Sequence, residues 1–207
     1  ISNVKNRRAK FADVGANIGF YSILFSCLSD PNNQIDSFEP VPNNLSKLMR
    51  NKEINFCDNI TVHAAAVGDK YSQVVIHVPD GKEAESTMAS ESWSDISISR
   101  SFNISQYDLD SFYSDKTPPD LYHIDAEGAE VRIIKGMRDI IQKQPEIYLV
   151  LHPKLVFEMG NSPSELVDIF TCAGYDSIFD LETKEALPIS HLETMNSETP
   201  ARYYYLE

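Results

Sequence analysis

Phe11 to Gly19 reads FADVGANIG, a short apolar strand that runs onto a carboxylate, Asp13, and then turns through Gly15, Asn17 and Gly19 toward a helix. A glycine turn between strand and helix lets a ligand approach the main chain where a Cβ would collide, and the helix N-terminus offers N–H groups. A carboxylate at that point repels phosphate and attracts an ammonium or sulfonium group. A second apolar run, IDSFEP at Ile35 to Pro40, ends on Glu39 and Pro40. An acidic residue about 20 positions after a glycine turn is placed to hydrogen-bond ribose hydroxyls. Asp125 and His152 end two further apolar runs. Polar residues at four strand tips are hard to explain by packing alone.

Two phosphate-binding readings fail on spacing. The dinucleotide fingerprint G-x-G-x-x-G needs glycine where this chain has Asn17, and a P-loop needs Lys after the second glycine, where Gly19 is followed by Phe20. An NAD-dependent oxidoreductase stays open only because Glu39 would also suit an NAD ribose. The spacing D-x-G-x-N-x-G resembles the first motif of class I S-adenosylmethionine-dependent methyltransferases.

The elements that must position these residues alternate strand and helix. Helices are expected at Asn17–Leu28, with Ile18, Tyr21, Leu24, Phe25 and Leu28 covering a buried face, and at Asn43–Asn51, capped by Asn43 or Asn44 with Leu45, Leu48 and Met49 inward. Ile60–Val67 reads as a third strand, and Val74–Val78 with Ile96–Ile104 as a β-hairpin insertion. Between those arms Asp80–Asp95, rich in Ser and Glu and carrying Trp93, reads as a mobile loop. Further on, strands are expected at Leu121–Asp125, Glu146–His152, Tyr175–Leu181 and Arg202–Leu206. Helices fall between them at Ala129–Gln142, striped by Val131, Ile134, Met137 and Ile141, and at Pro163–Ala173. Such alternation predicts a Rossmann-like, doubly wound, mostly parallel sheet with helices on both faces, binding its ligand beyond the carboxyl ends of the strands.

The 207 residues, 42% hydrophobic and 24% charged, fit one globular domain over positions 1–207. A net charge of −13 opposes a nucleic-acid backbone, and Arg7, Arg8 and Lys10 form the only tight basic cluster. Three scattered cysteines without metal spacing fit a reducing compartment. No apolar run has the length of a membrane span and no signal peptide precedes the first strand, so a cytoplasmic protein is expected. The chain opens on Ile1 rather than Met and reads as a processed or excised piece, with any N-terminal recognition element missing or very small.

Leu121 to Met137, LYHIDAEGAEVRIIKGM, resembles the signature of the FkbM-like methyltransferases: an apolar strand, I-D-x-E-G-A-E, then a helix carrying K-G. Phe11–Ser22 resembles that family's first motif, Ser37–Pro40 its Glu-Pro motif, Ala64–Asp69 its A-x-G-D segment and Ile147–Pro153 its late strand ending in His-Pro. The likeness runs from about Lys10 to Tyr205 in the family's order. It implies the seven-stranded class I methyltransferase sheet and transfer of a methyl group from S-adenosyl-L-methionine to a hydroxyl of a glycan or other small hydroxylated metabolite. It also places Asp13, Gly15, Asn17, Gly19, Glu39, Pro40 and Ala66 around the cofactor. His123 stands where the family usually has Lys, and Val150 and Leu151 where a carboxylate often precedes the late His. A domain that binds the cofactor without catalysis is the alternative in which the cofactor residues are kept and the acceptor side is inert.

An alcohol is a poor nucleophile at neutral pH, so its oxygen must be aligned and its proton removed; a positioned base contributes about 10²- to 10⁴-fold. His152, with an ordinary pKa of about 6.5, is expected as that base, with Asp125 as its rival. Asp125 and Glu127, with Glu130 nearby, could instead hold a hard divalent cation that lowers the hydroxyl pKa. His63, His77 and His191 have no partner pattern and are expected in structural or surface positions.

Overall fold

The computed structural model describes residues 9–79 and 98–207. Strands β1 (Phe11–Val14), β2 (Ile35–Phe38), β3 (Ile60–His63), β7 (Leu121–Ile124) and β8 (Glu146–Leu151) pair in parallel, and β11 (Arg202–Leu206) and β9 (Ser177–Asp180) extend the sheet in antiparallel steps. The order is β10-β9-β11-β8-β7-β1-β2-β3, where β10 (Glu185–Pro188) is a hairpin partner of β9 that adds an eighth strand to the seven expected. Chain direction across the sheet reverses between β1 and β7, so their carboxyl ends open a crevice at the switch point.

Side-chain alternation along these strands feeds two separate cores. Phe11 and Leu121 join Phe25, Ile35 and Ile60 beneath helix α1 (Phe20–Leu28), whereas Ala12, Val14, Tyr122 and Ile124 join the larger cluster under α4 (Glu130–Lys135), α5 (Arg138–Ile141) and α7 (Glu165–Cys172). Val131, Ile134, Met137 and Ile141 are fully buried. Each such side chain contributes about 1.5–3 kcal/mol of burial. The single helix expected over Ala129–Gln142 is two, broken at Gly136 and Met137, yet the apolar stripe survives the break.

Helix α1 begins at Phe20, not Asn17, because Asn17 (φ 51°) and Gly19 (φ 87°) are both in the left-handed region. Its expected buried face is open in part: Tyr21 is 43% exposed, and with Leu24, Phe25 and Leu28 it lines an apolar cavity of about 220 Å³ against β7, β8 and β11. Helix α2 (Pro42–Ile54) starts on a proline after Val41 and has no side-chain cap; Asn44, expected as a cap, is turned inward, and Met49 faces solvent. Leu48 is fully buried as expected.

The expected strand Ile60–Val67 is two elements. The chain turns after His63, where the Ala65 N–H donates to the His63 carbonyl, and β4 (Ala66–Val67) joins a different sheet, ordered β4-β6-β5. That sheet is built on the antiparallel arms β5 (Ser72–Pro79) and β6 (Ile98–Tyr107), the expected hairpin insertion. Asp80–Asp95, with Trp93, lies outside the described residues, as does the start of the expected strand at Ile96. A short helix α3 (Leu109–Phe112) returns the chain to β7, and α6 (Pro153–Glu158) follows β8. No helix among the described residues is long and apolar enough to cross a membrane.

Candidate active site

The crevice at the switch point is a cavity of about 400 Å³, within the size range of small-molecule sites. Gly15, Asn17, Glu39, Pro40 and Ala66 line it on one side, Asp125 and Glu127 on the other. These residues, from four segments far apart in the chain, are thereby brought together. Asp13, Gly19 and His152 stand outside its lining.

Asp13 is 1% exposed. Strand alternation puts it on the α1 face with Phe11, and its carboxylate accepts from the Ser22 N–H (2.9 Å), the Ser22 hydroxyl and His123 Nδ1 (2.9 Å). This corrects the expectation of an open charge at the strand tip: Asp13 caps the first turn of α1 and orients His123, on whose ring Tyr21 packs at 4.0 Å. Gly15 has a packing reason of its own. At φ 81°, its Cβ would lie 1.8 Å from the Asp125 carbonyl oxygen, so the β7 turn packs where a side chain would stand, while Gly15 still lines the crevice. Gly19 is the N-cap of α1, its hydrogen side facing Leu48.

Glu39, just past β2, gathers the turn around itself. Its Oε2 accepts from the Asn17 N–H at 2.8 Å, and its Oε1 from the Val41 N–H at 2.9 Å and the Asn44 amide at 3.3 Å. Burial pushes its pKa up, against the three hydrogen bonds that hold the ionised form. A carboxylate has about four acceptor positions, so a hydroxyl in the crevice can still be received. The sequence marks Asn44 only as a candidate helix cap; its bond to Glu39 has no signal beyond its place in the first turn of the helix after Glu-Pro.

Across the crevice the charges are crowded. After β7 the chain passes through Asp125, Ala126, Glu127 (φ 46°) and Gly128 (φ 102°) before α4 begins. A Cβ on Gly128 would come within 2.7 Å of Leu155, which fixes that turn against α6. Glu130 does not point along its helix; it is fully buried, and its Oε1 accepts from the Gly128 N–H and His152 Nδ1, each at 3.0 Å. His152 Nε2 is 3.9 Å from Asp125 and 3.8 Å from Glu127.

Burial draws the His152 imidazole down, but the hydrogen bond and charge of Glu130, with Glu127 and Asp125 beyond it, outweigh burial and push its pKa up to about 9. A proton therefore stays on His152 at neutral pH, which corrects the expectation that it is poised near 6.5 to accept one. Burial pushes the Asp125 carboxyl up, with His152 and His123 opposing. His63 pairs with Asp36 at 2.6 Å and His77 with the Ser101 hydroxyl at 3.0 Å. All three cysteines are unpaired.

Residues 13–177 match the model of the methyltransferase FkbM domain. The chain belongs to the FkbM methyltransferase family. Among solved structures, it is similar to the methyltransferase FkbM of Methylobacillus flagellatus KT, with a TM-score of 0.57 at 18% identity over 97% of this chain and 44% of that one. It therefore spans less than half the length of that relative. It is also similar to the precorrin-6y C5,15-methyltransferase of Geobacter metallireducens GS-15 (TM-score 0.52, 15% identity, 98% of this chain and 81% of that one). A third is a putative rRNA-methylase of Clostridium thermocellum (TM-score 0.57, 8% identity, 100% of this chain and 90% of that one). At these identities the likeness is one of fold, the Rossmann-like class I methyltransferase fold. No curated protein matches the chain.

Proposed function

We propose that this FkbM-family domain binds S-adenosyl-L-methionine in the switch-point crevice and directs its methyl group to a hydroxyl oxygen of a glycan or other small hydroxylated molecule. The observation that carries this reading is the two-sided crevice, with Glu39 and the Gly15–Asn17 turn on one wall and Asp125 and Glu127 on the other. When bound, S-adenosyl-L-methionine supplies an electrophilic methyl on a sulfonium sulfur. Glu39 is suited to receive the ribose hydroxyls, as strand-tip carboxylates do in doubly wound sheets. The apolar stretch formed by Ala65, Ala66, Val67 and Ile76 is suited to a flat base.

At the acceptor wall, Asp125 is suited to take the hydroxyl proton, and the bound cofactor would supply the methyl to that oxygen, its sulfur keeping the bonding pair as a thioether. The cost to Asp125 of carrying charge under burial favours gaining that proton. Protonated His152, held by Glu130, keeps the carboxylates in place. The net charge of −13 weighs against an RNA acceptor. A thermal-shift titration with S-adenosylhomocysteine beside NAD tests the cofactor: at 100 times its Kd a ligand adds about 2.7 kcal/mol, a rise of about 5–10 °C for a domain this size. A rise with NAD alone would overturn the reading.

A further inference from the structure

The crowded acceptor wall has a geometry that proton transfer alone does not require. Asp125 and Glu127 each bring a carboxylate oxygen, and His152 its Nε2, to a group of atoms lying within 4.8 Å of one another, beside a crevice from which small ions have access. We infer that these three side chains form a divalent-cation site, with Glu130 as the residue that positions its histidine. A tetrahedral ion with bonds of about 2.1 Å spaces its ligands about 3.4 Å apart. The observed 3.8 and 3.9 Å from Nε2 to the two carboxylates are therefore close to an assembled set.

The second observation is Glu130, which lies outside the ligand group. It is fully buried, and its Oε2 has no hydrogen-bond partner. Its Oε1 takes the His152 Nδ1–H at 3.0 Å, leaving Nε2 as the ring nitrogen turned to the carboxylates, where a bound cation takes the place of the Nε2 proton and releases it to solvent. A buried carboxylate holding the far nitrogen of an imidazole is the usual support of a metal-bound histidine, since it fixes the tautomer and raises ligand basicity. Burying a carboxylate that leaves one oxygen unpaired is costly for an arrangement whose only purpose is structural. A positive ion next to the imidazole offsets that excess of negative charge.

The donor set indicates which ions. One nitrogen with two hard oxygens suits Mn²⁺ or Zn²⁺ better than Mg²⁺, which prefers all-oxygen octahedra, and the open side facing the crevice leaves a position for a water or an acceptor oxygen. Each residue contributes one atom, so the second oxygen of Asp125 remains for the proton in the reaction proposed above. Metal binding itself does not depend on that reaction.

The test uses chelator-treated protein titrated with Mn²⁺ while the free-ion paramagnetic resonance signal is followed, and with Zn²⁺ by calorimetry. One equivalent is expected to bind, Glu127→Gln and His152→Ala are expected to abolish the event, and Glu130→Gln to weaken it by about 10- to 100-fold. Glu165→Gln, an exposed carboxylate paired with Lys135 away from the cluster, is expected to leave binding unchanged. Circular dichroism of each variant separates loss of ligands from loss of fold. Binding of neither ion to folded wild-type protein, or undiminished binding in folded Glu127→Gln and His152→Ala, would overturn the site. S-adenosylhomocysteine titrated without metal reports separately on the cofactor reading, so each can fail alone.

Discussion

The two walls of the crevice solve opposite problems. On the β1–β2 side, Glu39 is matched by the Asn17 and Val41 N–H groups and the Asn44 amide, all within 3.3 Å, and Asp13 by Ser22 and His123. On the β7–β8 side, Asp125, Glu127 and Glu130 converge on one imidazole, two of them at nearly 4 Å, from a turn that holds Glu127 in the left-handed region. The first wall is preorganised, with its charges already satisfied by protein donors. The second gathers three carboxylates around one imidazole, which is where a proton or a cation can be handled. Position and reactivity are thus divided between two strand pairs of one sheet.

Gly15→Ala joins the walls by force, and it should have the largest effect. Its Cβ would meet the Asp125 carbonyl at 1.8 Å while φ stays at 81°, so a loss on the order of 3 kcal/mol or more is expected. A thermal melt should show a fall of about 6–12 °C, and a wild-type Tm would mean the turn rearranges easily. Asp125→Asn attacks the reactive wall alone. With an accepted acceptor, turnover should drop about 10²- to 10⁴-fold while calorimetric affinity for S-adenosylhomocysteine stays close to wild type; matched losses in both would dissolve the division between walls.

Glu39→Gln is the counterpart on the preorganised wall. Losing charge-assisted bonds of about 1.5–3 kcal/mol should weaken S-adenosylhomocysteine binding about 10- to 100-fold. The pH dependence sharpens the assignment. Burial raises the Glu39 pKa above that of an exposed glutamate, and the ionised form is the one that receives hydroxyls. Affinity should therefore fall on acidification at a pH above the ordinary glutamate range, and Glu39→Gln should flatten that fall; a profile unchanged by the variant removes Glu39 from the cofactor. For stability the sign is opposite: a raised folded pKa favours the fold most at low pH and costs it as pH rises past that value. The smallest effect belongs to Asn17→Gly. Asn17 meets Glu39 through its backbone N–H, and glycine accepts φ 51° freely, so affinity should stay within about threefold with Tm unchanged or slightly raised. A large loss of affinity would give the Asn17 side chain a role of its own.

The sheet was legible because its signals are local. Apolar runs ending on Glu39, Asp125 and His152 mark strand ends whatever lies beside them, with Asp13 falling inside β1, and the stripe Val131, Ile134, Met137 and Ile141 reads as one buried face even though its helix breaks at Gly136. Less was legible at Ala64–Val67, because nothing local distinguishes a strand that continues from one that changes sheets; β6, forty residues on, decides it. The site followed the same division. Gly15, Asn17, Glu39, Pro40 and Ala66 face the crevice together with Asp125 and Glu127, whereas Asp13 and Gly19 serve the start of α1.

By itself the sequence determined the alternation of strands and helices, most of the residues at the strand ends and the likeness to the FkbM family, since periodicity and turn residues act over a few positions. Only the tertiary structure decided which way each tip residue faces and what charge it bears. Strand alternation turned Asp13 under α1, and two carboxylates from the β7 turn with Glu130 at the start of α4 surround His152 and hold a proton on it. Those outcomes depend on distances between residues 22 and 110 positions apart, which burial and Coulomb interactions set after the chain has closed.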